Sequence, residues 1–136
     1  MEREIKFRAR DLIHNQWIYG GIAVDRKGNT VILPKSDWSK GGCVYESTIG
    51  QYTGLQDKNG KDIYEGDILM CIGNRRDNKG KKYYRSVLFK HGSFCMTAPE
   101  YNCLSQLYNH VVNGKLLWEI VGNIYDNKDL LEESYE

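Results

Sequence analysis

Three short signals built from asparagine and glycine cut this chain into alternating stretches, and they constrain its fold more than any other feature. Asp25-Arg26-Lys27-Gly28-Asn29 separates an extended Trp17–Val24 from Thr30-Val31-Ile32-Leu33. Asp57-Lys58-Asn59-Gly60 separates residues 51–56 from Lys61-Asp62-Ile63-Tyr64. Asn113-Gly114 separates His110-Val111-Val112 from residues 115–121. Asparagine tolerates a positive φ and glycine favours it, so such pairs mark tight reversals between antiparallel strands. The chain has 14 glycines and only 2 prolines, so its turns depend on these two residue types. Further strands are predicted at Asp67–Ile72, 83–90 and 93–97, with Val87 and Phe89 alternating against Leu88 and Lys90. Gly20-Gly21 reads as a bulge inside its strand.

Helical signal is scarce. Leu104, Leu107 and Tyr108 have the spacing of one helix face, which predicts a short helix over 100–108. Asn127 is placed to cap a last turn over 128–133. The expected architecture is therefore mainly β with minor α. Residues 1–48 form an N-terminal antiparallel hairpin layer. Residues 49–136 form a small, strongly bent, SH3-like β-barrel with a short helical tail. The phrase Tyr64-Glu65-Gly66-Asp67-Ile68-Leu69 supports the barrel: glycine allows a kink, and the aspartate ties the turn to nearby amides. Pro34 to Gly42, polar apart from a lone Trp38, lies in the soft boundary at 34–47.

The run Ile49-Gly50-Gln51-Tyr52-Thr53-Gly54-Leu55-Gln56-Asp57-Lys58-Asn59-Gly60-Lys61-Asp62-Ile63-Tyr64-Glu65-Gly66-Asp67-Ile68 closely resembles the signature of the YopX family of phage and prophage proteins. Ile5-Lys6-Phe7-Arg8-Ala9 resembles that family's opening strand. Glu119-Ile120-Val121-Gly122-Asn123-Ile124-Tyr125-Asp126-Asn127, followed by Leu130-Leu131, resembles its close. Arg10 departs from the pattern, since members often carry an aromatic there, and residues 70–118 match no signature. The resemblance implies a two-part, mostly β protein encoded by a phage or prophage and working in a bacterial cytoplasm. It brings no activity and no catalytic residues.

Residue chemistry points the same way. The opening ten residues are rich in charge and lead into no secretory apolar run, and Ile68-Leu69-Met70-Cys71-Ile72 is too short to span a bilayer. A cytoplasmic setting is expected, with Cys43, Cys71, Cys95 and Cys103 as free thiols. Asp57, Asp62, Glu65 and Asp67 fail the calcium-loop pattern, because Gly60 falls at its fourth position and Ile68 at its twelfth. His91, Cys95, Cys103 and His110 are the only residues with a metal-ligand look, and only their first gap fits the paired spacing of structural zinc sites. No nucleophile elbow, phosphate loop or dinucleotide fingerprint is present, and His14 is read as a turn or surface residue. No enzyme, cofactor, metal or small-molecule substrate is therefore expected.

Charge is the remaining signal. There are 19 Lys and Arg against 18 Asp and Glu, a net charge of +1, which calls for no charged partner globally. Locally the balance breaks. Arg75, Arg76, Lys79, Lys81, Lys82 and Arg85 stand against Asp77 alone, a local +5, with Tyr83 and Tyr84 interleaved. Asp126, Asp129, Glu132, Glu133 and Glu136 stand against Lys128, a local −4. The chain is expected to be a non-catalytic module that binds a protein partner or itself as a homo-oligomer. The alternative is a nucleic-acid-binding module using the 75–85 loop, whose cations meet phosphates and whose tyrosines stack on bases. An enzyme ranks last.

Overall fold

The computed structural model describes residues 3–98 and 103–133. The chain divides into two units, Met1–Gly54 and Leu55–Glu136. The division falls inside a continuous strand, later than the 48/49 boundary expected from the sequence.

The first unit is built from β1 (Phe7–Arg10), β2 (Trp17–Val24), β3 (Thr30–Leu33), β4 (Gly42–Cys43) and the start of β5 (Gly50–Gln56). Their order is β5–β1–β2–β3–β4, antiparallel throughout. The β2–β3 hairpin closes as its residues dictate. The Asp25 carboxylate accepts from the amides of Lys27 and Asn29, both at 2.9 Å. These bonds, the Asn29 amide first, hold the Asp25 carboxyl below its ordinary value. The core is small. Ala9, Ile32 and Val44 are buried, with Phe7, Ile18 and Ile49 packed against them. Ile32 is wholly enclosed, a burial that contributes about 2–3 kcal/mol.

The Gly20-Gly21 pair is not a bulge. Gly20 pairs with Phe7 of β1 and Gly21 with Leu33 of β3, so the strand passes from one neighbour to the other here. A Cβ on Gly20 would lie 2.2 Å from the Leu33 carbonyl oxygen. Glycine is required by this close backbone approach.

The second unit continues β5 through the Asp57–Gly60 turn into β6 (Asp62–Tyr64). It then forms β7 (Asp67–Ile72), β8 (Lys82–Lys90), β9 (Ser93–Ala98), β10 (Cys103–Gln106), β11 (Val111–Val112), β12 (Lys115–Leu116), β13 (Glu119–Asn123) and α1 (Asp129–Glu133). Five strands make an antiparallel sheet in the order β10–β9–β8–β7–β13. β12 runs parallel to the end of β5, with Lys115 opposite Gln56. The core comprises Ile63, Leu69, Val87, Met96, Leu107, Leu116 and Trp118. As the Gly-Asp phrase predicts, Gly66 adopts φ +91° and the buried Asp67 carboxylate accepts from the Tyr64 amide at 2.8 Å.

Three expectations are corrected here. The barrel does not close: among the described residues β10 and β13 are the unjoined ends of an open sheet. The helix over 100–108 is replaced, where described, by β10 and a single 3-10 turn at Leu107–His110. Residues 99–102 lie outside the described residues. Leu107 is buried while Leu104 and Tyr108 are exposed, so the helical spacing is coincidental. Pairing with β9 satisfies this backbone instead. Asn127 precedes α1, but its carboxamide oxygen turns back to accept from the Asn123 amide at 3.2 Å.

The run 115–121 is also interrupted, at Leu117-Trp118, between β12 and β13. That break places Trp118 in the core and its carbonyl on the Lys58 amide at 3.1 Å.

A candidate binding cleft and a basic loop

The Asp57–Gly60 turn, where the acidic residues cluster, is structural. Asp57 is fully buried. One carboxylate oxygen accepts from the amides of Asn59 and Lys61, both at 2.9 Å, and the other accepts from Ile120 at 3.0 Å. The carboxylate thus closes its own hairpin and staples β13 to it. Among the described residues no group of three His, Cys, Asp or Glu is placed to hold a metal. His91 sits in an exposed turn at φ +53°. Cys95 is buried, with its thiol 3.4 Å from the Ser93 hydroxyl. The Cys103 side chain lies outside the described residues. His110 approaches the Ser105 hydroxyl at 2.7 Å and packs edge-on to Trp118. Burial, then the nearby Arg85 charge, push its pKa below the ordinary histidine value. Cys43, Cys71 and Cys95 are free thiols, and burial raises that of Cys71.

The basic segment separates into two parts. Arg75, Arg76, Lys79, Lys81 and Lys82 are exposed on the loop between β7 and β8 and its first strand residue. The loop has a defined shape: the Asn78 side chain accepts from the Arg75 amide at 2.9 Å and donates to the Tyr83 hydroxyl at 3.2 Å. Arg85 is buried instead, its guanidinium 5.6 Å from the Tyr83 ring centre and 5.7 Å from that of Trp118. Tyr83 packs against the core cluster, because alternate β8 residues Tyr83, Arg85 and Val87 share a face. Tyr84 lies on the opposite face, half-buried. Of the acidic tail, Asp126, Asp129 and Glu132 are exposed, and residues 134–136 lie outside the described residues.

The first unit holds a feature that sequence reasoning did not single out as a site. A cleft of about 710 Å³ opens between the segment before β1, the middle of β2 and the chain after β3. Its apolar lining is Ile5, Tyr19, Ile22, Leu33, Pro34 and Trp38. Trp38 is 73% exposed and Ile5 59%. Arg3, Lys6 and Lys35 stand around it with Glu4 as the acidic member. Lys6 reaches Glu4 at 3.2 Å and the Tyr52 ring at 4.7 Å. Trp38 lies in a capped 3-10 turn. Asp37 caps its 3-10 turn by accepting from the Ser39 hydroxyl and amide, bonds that lower its pKa. The lone tryptophan in a polar stretch was the signal available in the sequence.

Flanking the cleft's sheet, Arg8 and Arg10 both lie over the Trp17 ring, at 4.4 and 4.8 Å. Arg10 thus stacks on the aromatic directly opposite it in the β1–β2 pair.

A family model described as YopX protein matches residues 6–132. Among solved structures, the chain is similar to the crystal structure of protein EF1440 from Enterococcus faecalis. The TM-score is 0.59 at 22% identity, covering 96% of this chain and 99% of that one. No curated protein matches it. No helix among the described residues is long and apolar enough to cross a membrane.

Proposed function

The chain belongs to the YopX family, and on that premise we propose that it is a non-catalytic accessory protein of a phage or prophage, acting in the bacterial cytoplasm by binding another protein. The observation that carries this reading is the cleft of the first unit. A tryptophan 73% exposed and an isoleucine 59% exposed share one depression. Exposed apolar groups gathered in one place mark interaction surfaces, and aromatic anchors in pockets carry most of the energy of protein recognition. The family brings no chemistry, and the buried carboxylates of Asp57 and Asp67 accept from backbone amides.

The test is capture with the immobilised full chain from prophage-bearing cells, comparing wild type with Trp38→Ser. A protein retained by the wild type and lost from the variant is the expected result. Equal retention by both, or none by either, overturns the reading. Self-association through this surface would instead give a mass in solution above 15.8 kDa.

A second reading has one observation in its favour: four cations are exposed on the shaped loop before β8, and a fifth, Lys82, opens that strand. Phosphate binding there would weaken steeply with salt and vanish when Arg75, Arg76, Lys81 and Lys82 are changed together to alanine. Absence of binding to single- or double-stranded DNA or RNA at low salt removes it.

A further inference from the structure

The cleft borders an incompletely covered strand. β1 pairs with β2 from Arg10 opposite Trp17 to Phe7 opposite Gly20, and there its pairing stops. β3 continues beside β2 from Gly21 to Val24 on the other side. Residues 3–6, before β1, form no strand, and the Lys6 carbonyl accepts from the Tyr52 amide at 2.9 Å. Among the described residues, Gly21–Val24 therefore has a strand neighbour on one side only.

Antiparallel pairing alternates the direction of backbone groups. The Asp25 amide donates to the Asn29 carbonyl at 2.9 Å, so Ala23 and Gly21 also face β3. Ile22 and Val24 then present their N–H and C=O groups to the open side. Such an edge is a template for an added strand.

Resting on the protein-binding reading above, we propose that this edge of β2 takes up an extended, acidic segment of a partner protein by strand addition. Four residues span the edge, about 13 Å at 3.3 Å per residue. Main-chain bonds to Ile22 and Val24 supply registry. Alternate side chains enter the cleft beside Tyr19, Ile22 and Trp38. The charge is set by the surroundings. Arg3, Lys6 and Lys35 rim the cleft against Glu4, and Arg26 and Lys27 are exposed at the hairpin tip beyond Val24. A second copy paired edge to edge would bring these cations against their own equivalents, which like-charge repulsion opposes.

The full chain, isotope-labelled, is titrated with a peptide alternating valine and glutamate and with a matched peptide alternating valine and lysine. The glutamate peptide is expected to bind at least tenfold more tightly. At saturation, exchange of the Ile22 and Val24 amides slows at least tenfold, while Gly21 and Ala23, already bonded to β3, change little. N-methylating one alternate set of peptide amides weakens binding at least tenfold, and methylating the other set less than twofold. Equal binding of the two peptides, no binding, or equal sensitivity to both methylations overturns the proposal. So does protection of Ile22 and Val24 that rises with protein concentration alone, which assigns the edge to a second copy. Peptide binding that needs Trp38 but leaves Ile22 and Val24 unprotected overturns strand addition while the protein-binding reading stands. Loss of that reading is scored separately, by the capture experiment.

Discussion

Replacing Asp57 with alanine deletes an acceptor to which three backbone amides donate. Two of them, Asn59 and Lys61, belong to exposed residues, and water can replace the carboxylate there at a cost of about 0.5–1 kcal/mol each. The third, Ile120, belongs to a half-buried residue of β13. Leaving its donor unpaired costs about 2–3 kcal/mol, the upper part of the range for a bond to a charged group. The expected total is about 3–5 kcal/mol. With a urea slope near ~1.5 kcal/mol per M, the midpoint falls by about 2–3 M. Amide exchange at Ile120 reports on the second unit directly and should accelerate in step. Asp57→Asn keeps the shape but turns an N–H donor toward one of the amides, so about 2 kcal/mol is lost. A loss below about 1 kcal/mol for Asp57→Ala would refute the staple argument. So would stabilisation of the wild type, but not the variant, by millimolar calcium, since Asp57 would then be a ligand.

Gly20→Ala forces a Cβ into the Leu33 and Pro34 backbone and should cost about 3 kcal/mol or more. Gly28→Ala, at φ +86° with open space around it, should cost only about 1–2 kcal/mol; equal thermal shifts would contradict the close-approach argument. His110 has a folded pKa below its ordinary 6.5, so between the two values the unfolded chain binds more protons. Its contribution is therefore complete above about pH 6.5 and is lost as pH falls through that window toward the folded pKa. The fall in urea midpoint over this range should flatten in His110→Gln, and an unchanged profile would exclude His110 as its source. Changing Arg75, Arg76, Lys81 and Lys82 together to alanine should move stability by under about 0.5 kcal/mol per site, whereas Arg85→Ala alone should cost about 2–3 kcal/mol. Urea titrations of both variants separate the exposed cations from the buried one.

The sequence alone determined the positions of most strands and turns, because these depend on neighbours. An aspartate, asparagine and glycine within five residues can close a hairpin by themselves, as Asp25 and Asp57 do. Gly66-Asp67 is a local device of the same kind. Tertiary structure decided whatever depended on distant partners. Leu104, Leu107 and Tyr108 carry a helical spacing, yet pairing with β9 puts Leu104 in a strand and leaves Leu107 and Tyr108 in a 3-10 turn. Arg85 reads like its basic neighbours and is buried only because the alternation of β8 turns it toward Tyr83 and Trp118. The Asp57–Ile120 bond joins residues far apart in the chain. The cleft and the open edge of β2 arise because β1 stops pairing at Gly20 while β3 continues, a consequence of pairing length that no single residue encodes. Local hydrogen bonding is written in adjacent side chains; burial, sheet closure and exposed edges are set by which strands find one another.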